Sequence, residues 1–175
     1  MGDIQKDSSK YTVLTLIDQT QTKIEKALVS IGLILVTSLL FINIMYSFVK
    51  GSTIPWASEI SQYIMVWVVF IGASTLMRKA GHVTMDLIAR FLSQKAILYL
   101  DMFIYTVVSI FLFYLAYIGL NMTLDVYRTG QTMINVSLSM AWVYLSFPVG
   151  VLLMAINALK IVVINSRKAV GGEIN

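Results

Sequence analysis

The sequence predicts an all-α integral membrane protein: four transmembrane helices, a cytoplasmic interfacial helix between the second and third, and both termini cytoplasmic. Three observations lead there. Of the 175 residues, 58% are hydrophobic and only 13% charged, with a mean hydropathy of +0.80, whereas charged residues make up about 25% of a soluble domain. Uncharged runs long enough to cross a bilayer recur along the chain, and a helix carries its backbone through lipid because every N–H and C=O is paired internally. The Lys and Arg residues flank these runs and fall mostly on alternate ends, the pattern that sets orientation.

Composition also removes several classes of function. The length suits one domain, residues 1–175, with no linker, internal repeat or low-complexity segment. With no cysteine there is no disulfide, thiolate metal site or cysteine nucleophile. The single His82 cannot provide both axial imidazoles of a membrane cytochrome or a multi-histidine metal site, so no cofactor is expected. A pI near 9.3 raises the question of nucleic acid. The cations are scattered at segment ends rather than gathered in a patch, so nucleic acid is not an expected partner.

Residues 1–26 form a polar cytoplasmic tail without the apolar core and small-residue cleavage site of a secretory signal. Val13, Leu14, Ile17, Ile24 and Leu28 recur at near-helical spacing, which leaves two readings, an amphipathic helix on the membrane surface or a frayed tail. The first span is 27–49, whose 23 uncharged residues at 1.5 Å each exceed a hydrocarbon core of about 30 Å. Gly32 and Ser38 allow close helix approach, and Asn43 is placed to hydrogen-bond a neighbour. Pro55 starts the next helix, where its missing N–H costs nothing.

The second span is 57–77, introduced by Trp56 at the interface and Glu59 just inside it. Gly72, Ala73 and Ser74 make its inner half thin. Arg78 and Lys79 end the span, and Gly81 is expected to break the helix. From 82 to 94, His82, Asp86 and Arg90 recur every four residues opposite Leu87, Ile88, Phe91 and Leu92, which predicts the interfacial helix. Ser93 can cap the third span, 96–124. Residues 129–138 are read as an outer loop or re-entrant lip, and the fourth span is 139–164. Within it Pro148 leaves the Tyr144 carbonyl without its usual donor and predicts a kink.

Orientation follows from the thirteen Lys and Arg residues. Lys6, Lys10, Lys23, Lys26, Arg78, Lys79, Arg90, Lys95, Lys160, Arg167 and Lys168 fall on one side, and only Lys50 and Arg128 on the other. Cations stay cytoplasmic, so both termini face inward.

Catalysis needs two or more reactive groups converging on one pocket, and no catalytic or metal-ligating residue is assigned. His82, Asp86 and Arg90 share a stripe, read first as a solvated face with Asp86 paired to Arg90 and next as a surface for a partner or a lipid headgroup. Glu59 suits helix-end or inter-subunit hydrogen bonding, with ion coupling as the sharper alternative; Asp101 is read in the same way.

Trp-x-x-Glu (Trp56, Glu59), Phe-Ile-Gly-Ala (Phe70 to Ala73) and Arg-x-x-Gly-His followed by Asp (Arg78, Gly81, His82, Asp86), set in a four-span chain, resemble the small membrane subunit of TRAP transporters, the DctQ-like family. The motif occupies residues 56–90, and the likeness of architecture covers the whole chain.

The resemblance implies a multi-pass protein of the bacterial inner membrane, a scaffold that braces a large elevator-type membrane subunit. A periplasmic substrate-binding protein delivers a carboxylate solute, sialic acid or a C4-dicarboxylate, and the partner subunit uses the sodium gradient. Expected partners are that large subunit, the binding protein and membrane lipids. Trp56, Glu59, Arg78, His82, Asp86 and Arg90 are the candidates for a subunit or lipid interface, and Lys50 and Arg128 for docking the binding protein.

Two other classes compete. A self-sufficient four-helix exporter acting as a dimer needs its carboxylate deep in the bilayer, and Glu59 is near the surface. A membrane enzyme or electron carrier is disfavoured by one histidine and no cysteine.

Overall fold

The computed structural model describes the backbone of residues 2–88 and 94–170, and the side chains of residues 20–77 and 96–166. Its helices are α1 (Gly2–Lys50), α2 (Pro55–Ile88), α3 (Gln94–Arg128), α4 (Ala141–Tyr144) and α5 (Ser146–Val170). Among the described residues four stretches are long and apolar enough to span a membrane: Thr20–Lys50, Pro55–Met77, Ala96–Arg128 and Ala141–Ser166. They overlap the expected spans 27–49, 57–77, 96–124 and 139–164.

Two expectations need correction. The chain before the first span is no separate surface helix or frayed tail, because α1 runs unbroken from Gly2 to Lys50. After Gly2 no glycine or proline occurs until Gly32, so no residue stops the helix. Nor does Gly81 break the second helix, since α2 continues to Ile88 and residues 82–88 belong to it rather than to a distinct interfacial helix. An interior glycine costs a helix about 1 kcal/mol, while ending the helix there would leave several backbone groups to find other partners. Residues 89–93, with Arg90 and Ser93, lie outside the described residues.

The turns follow local chemistry. Gly51 and Gly130 adopt φ of 68° and 66° just beyond α1 and α3, the left-handed conformation that closes a helix and that glycine enters without strain. Pro55 opens α2, as its fixed φ and missing N–H predict. Beyond Gly130 the chain folds into a closed lip. Thr132 and Ser139 form an isolated antiparallel bridge, and the N–H groups of Met133 and Met140 donate to the Leu138 and Gln131 carbonyls, both at 2.9 Å. Ahead of Pro148 the helix assignment is interrupted at Leu145 between α4 and α5, although Leu145 keeps helical φ and ψ of −61° and −26°.

The principal helix contacts form a row in the order α1, α2, α5, α3; among the described residues the backbone of α1 approaches neither α5 nor α3. Lipid is as apolar as leucine, so close packing rather than water exclusion joins these helices. A methyl group at Gly150 would sit 2.5 Å from Phe70 Cβ and 3.0 Å from the Phe70 carbonyl, so only glycine lets α5 meet α2 there. Gly32 stands against Val68 in the same way between α1 and α2, as expected, whereas Ser38 faces outward. Phe70 and Phe147 pack edge to face with centroids 5.3 Å apart. Of the most buried apolar positions, Val151, Ala155 and Ala158 lie on α5 and Ala57 on α2.

Candidate functional site

Two clusters of buried polar side chains stand toward opposite ends of α2. Glu59 and Ser74 stand on the same helix 15 residues apart, or roughly 22 Å along its axis.

At the end bearing the lip, the buried Glu59 carboxylate is enclosed by donors. Its Oε1 accepts the Tyr63 hydroxyl at 2.7 Å and the Ile134 N–H at 2.8 Å, and its Oε2 accepts the Asn135 N–H at 2.7 Å. The lip amides have no strand partner, and α2 provides a carboxylate at the right height, one turn in from Pro55. Charge-assisted bonds to backbone N–H are stronger than neutral ones, so the lip is pinned to α2. Ile134, at the pinned point, stays 89% exposed. Asn43 bridges the neighbouring turn: its amide donates to Ser58 Oγ at 2.8 Å, and its Oδ1 accepts the Ile54 N–H at 2.7 Å. Lower down, the Trp67 indole donates to the Trp142 carbonyl at 3.2 Å.

The opposite end joins three helices. Glu25 on α1 is buried; its Oε1 accepts Gln21 Nε2 at 2.7 Å and the Ser74 hydroxyl at 3.3 Å, and its Oε2 accepts the Thr75 hydroxyl at 3.0 Å. Asn157 on α5, fully buried, donates its amide to Ser74 Oγ at 2.9 Å and the Ser74 carbonyl at 3.1 Å. Lys160 Nζ donates to Gln21 Oε1 at 2.7 Å, linking α5 to α1 although their backbones do not meet. In lipid these groups have no water to turn to, so each contact also sets the register of its helix. Among the described residues, three buried side-chain atoms, Asp101 Oδ2, Ser109 Oγ and Asn157 Oδ1, lack a hydrogen-bond partner.

Between α1 and α5, over α2, lies a groove of about 660 Å³. Ile24, Leu28, Trp67, Ile71, Val149 and Leu153 line it, with Thr20, Gln21 and Glu25 at one end. The outer helices expose large apolar side chains along their length, such as Phe41 and Phe48 on α1 and Phe103 and Ile110 on α3.

The residues singled out from the sequence do not converge on one site. Trp56 is exposed at the start of α2, while both oxygens of Glu59 are engaged by this chain itself. Arg78, His82 and Asp86 lie on the α2 backbone, but their side chains, and all of Arg90, fall outside the described residues. Lys50 and Arg128 stand at the lip end, in the last turns of the two outer helices. Arg128 approaches Asp125 at 3.9 Å with both side chains about three-quarters exposed. Asn43 bonds its neighbour as anticipated.

Sequence reading overlooked Gln21, Glu25, Asn157 and Lys160, grouped with the tail, a packed span and flanking charge. A signal existed for Asn157, a lone amide deep in an apolar run, because such groups are held only with a partner. Among the described residues no group of acids and histidines could hold a metal. The two carboxylates at the heart of the clusters are already matched to donors, which suits holding helices and a loop.

The sequence profile described as "Tripartite ATP-independent periplasmic transporters, DctQ component" matches residues 27–167. The chain is 23% identical over 147 residues to the "Ectoine TRAP transporter small permease protein TeaB" of Halomonas elongata, covering 84% of this chain and 76% of that protein. It is 26% identical over 117 residues to the "C4-dicarboxylate TRAP transporter small permease protein DctQ" of Rhodobacter capsulatus, covering 67% of this chain and 52% of that protein. No solved structure matches the chain.

Proposed function

Because the chain belongs to the DctQ family of tripartite ATP-independent periplasmic transporter components, a transporter family and not an enzyme family, we propose that it serves as a scaffold. In this reading it braces a large elevator-type membrane subunit in the bacterial inner membrane, both termini cytoplasmic. A periplasmic binding protein delivers the solute, a carboxylate compound, and the sodium gradient acts through the large subunit. The relatives' names give ectoine and C4-dicarboxylate as solutes, and neither gives sialic acid.

The observation that carries this reading is the row of spans. Glu25, Ser74, Asn157 and Glu59 hold α1, α2, α5 and the lip together, and the outer helices offer apolar faces along their whole length. A row has two broad faces where a closed bundle has none, which is the geometry of a brace. Trp56 and the stretch holding Arg78, His82, Asp86 and Arg90 are assigned to the subunit or lipid interface, with Glu59 acting through the lip. Lys50 and Arg128 are assigned to the binding protein.

The test is reconstitution into vesicles with an imposed sodium gradient. Uptake is expected only when this chain, the large subunit and the binding protein are all present. Transport by this chain alone would overturn the reading.

A further inference from the structure

We propose that the stripe of α3 holding Tyr114, Tyr117 and Asn121 is where the large membrane subunit docks, through a transmembrane helix that sets small residues against the tyrosine rings and hydrogen-bonding groups beside their hydroxyls. The inference rests on the scaffold reading and adds to it which edge of the row is covered.

Depth carries the argument. Tyr99 and Tyr127 are both exposed and stand 28 residues apart on one unbroken helix, or roughly 42 Å along its axis. That matches a bilayer of about 40–45 Å with its headgroup layers, and tyrosines at those two levels are the usual interfacial belts. The midplane then falls close to Tyr114, with Tyr117 about 6 Å beyond it; their side chains are 61% and 65% exposed. Asn121, also exposed, is still within the hydrocarbon half-thickness of about 15 Å. Helical side chains lean toward the N-terminal end, which turns both rings away from the nearer interface. Among the described residues neither hydroxyl nor the Asn121 amide has a hydrogen-bond partner, and hydrocarbon offers none.

The spacing points to a helix as the occupant. Phe103, Val107, Ile110, Tyr114, Tyr117 and Asn121 are all exposed and alternate four and three residues apart, the seam along which one helix crosses another at a shallow angle. They face away from Gly119, which receives the Phe147 ring of α5. The opposite edge of the row differs. In the middle of its span α1 exposes Ile31, Ile34, Leu35 and Phe41, and the exposed hydroxyls there belong to Ser30, Thr37 and Ser38, short enough to donate to a carbonyl one turn back in their own helix. A tyrosine hydroxyl cannot reach that carbonyl. Lipid therefore suits α1, and a protein helix suits α3.

Side-chain size separates the large subunit from a second copy of this chain. Membrane helices approach closely where small residues line the contact, and the six positions of the stripe hold no glycine, alanine or serine. Two such stripes would set ring against ring. Within this chain the large rings are met by glycine instead, Phe147 by Gly119 and Phe70 by Gly150.

The experiment places photoreactive benzoylphenylalanine at Tyr114, at Tyr117 or, on α1, at Ile34, one position at a time, in the full chain co-expressed with the large subunit in bacterial membranes. Cross-links to the large subunit are expected from positions 114 and 117 and not from 34. In parallel, Tyr114→Phe, Tyr117→Phe and Asn121→Leu together keep the bulk of the stripe and remove its hydrogen-bonding groups. The isolated variant is expected to keep its helix content and melting, because those groups have no partner within the chain, while affinity for the large subunit in detergent falls about threefold for each bond lost. Cross-links from position 34 alone overturn the choice of edge and leave the scaffold reading standing; failure of the two native chains to copurify overturns both. Cross-links between two copies of this chain, or unchanged affinity of the triple variant, also overturn the proposal.

Discussion

Glu59 and Asn135 lie 76 residues apart in the chain, and the carboxylate of the first accepts the backbone N–H of the second at 2.7 Å. The same carboxylate takes the Ile134 N–H at 2.8 Å, so one acidic side chain on α2 fixes the shape of a loop between α3 and α4. Glu59→Gln removes the charge and replaces an acceptor by a donor facing N–H groups. The lip is then expected to open, and a cysteine placed at Met133→Cys, a position buried in the closed lip, should react with a soluble maleimide several-fold faster than in the otherwise native chain, with helix content unchanged. Equal rates would show that the carboxylate does not hold the loop.

The Glu25, Ser74 and Asn157 relay couples three helices. Asn157→Leu removes both amide contacts to Ser74 and is expected to cost about 0.6 kcal/mol per bond, the average for hydrogen bonds between membrane helices, and at most about 1.7. In a double-mutant cycle with Ser74→Ala the losses should be non-additive, because each substitution removes the same bond. Reversible unfolding in mixed micelles provides the measurement, and strict additivity would contradict the relay.

Two glycines on neighbouring helices should respond oppositely to the same added methyl group. At Gly150 it would strike Phe70 Cβ at 2.5 Å and the Phe70 backbone at 3.0 Å, so Gly150→Ala is expected to destabilise the α2–α5 contact by about 1–3 kcal/mol. At Gly72 it would meet only a Val29 methyl at 3.9 Å, so Gly72→Ala gains helix propensity, up to about 1 kcal/mol. Thermal melting of the two variants in one detergent compares them, and a shift of the same sign in both would refute the packing argument.

Lys50 and Arg128 close the two outer helices at the lip end. Arg128 and Asp125, 3.9 Å apart and largely exposed, form the kind of surface pair worth about 0–1 kcal/mol, so charge reversal there spares the fold. Lys50→Glu combined with Arg128→Glu should reduce uptake with the binding protein at low salt, and the deficit should narrow as salt screens the surface. Uptake equal to wild type at every ionic strength would remove both residues from docking.

Reporter fusions near residues 53 and 130 should both read outside, in line with eleven of the thirteen cations lying on the other side. An inward signal at either would reverse the assigned topology.

Hydropathy and local backbone chemistry made the four spans and the Pro55 start legible without a structure, whereas Gly81 reads as a helix end and is not one. The spans and the Pro55 start depend on neighbours a few residues away and on a solvent that forces backbone groups to pair within the segment. Asn43 was legible for the same reason, since its partners at Ile54 and Ser58 lie just across one tight turn. The family motif was legible too, although its residues scatter over a surface and an anchor rather than meeting at one site.

Only the tertiary structure decided the order of the helices in the row, the loop that Glu59 holds, and the burial of Glu25, which the sequence places beside ordinary tail charges. Hydrophobicity cannot encode these choices in a membrane, because lipid satisfies an apolar face as well as another helix does. What selects one neighbour over another is the fit of a glycine to a phenylalanine and of a lone carboxylate to particular donors. Such matches join residues as far apart as Ser74 and Asn157, 83 positions along the chain, and they exist only once the helices have met.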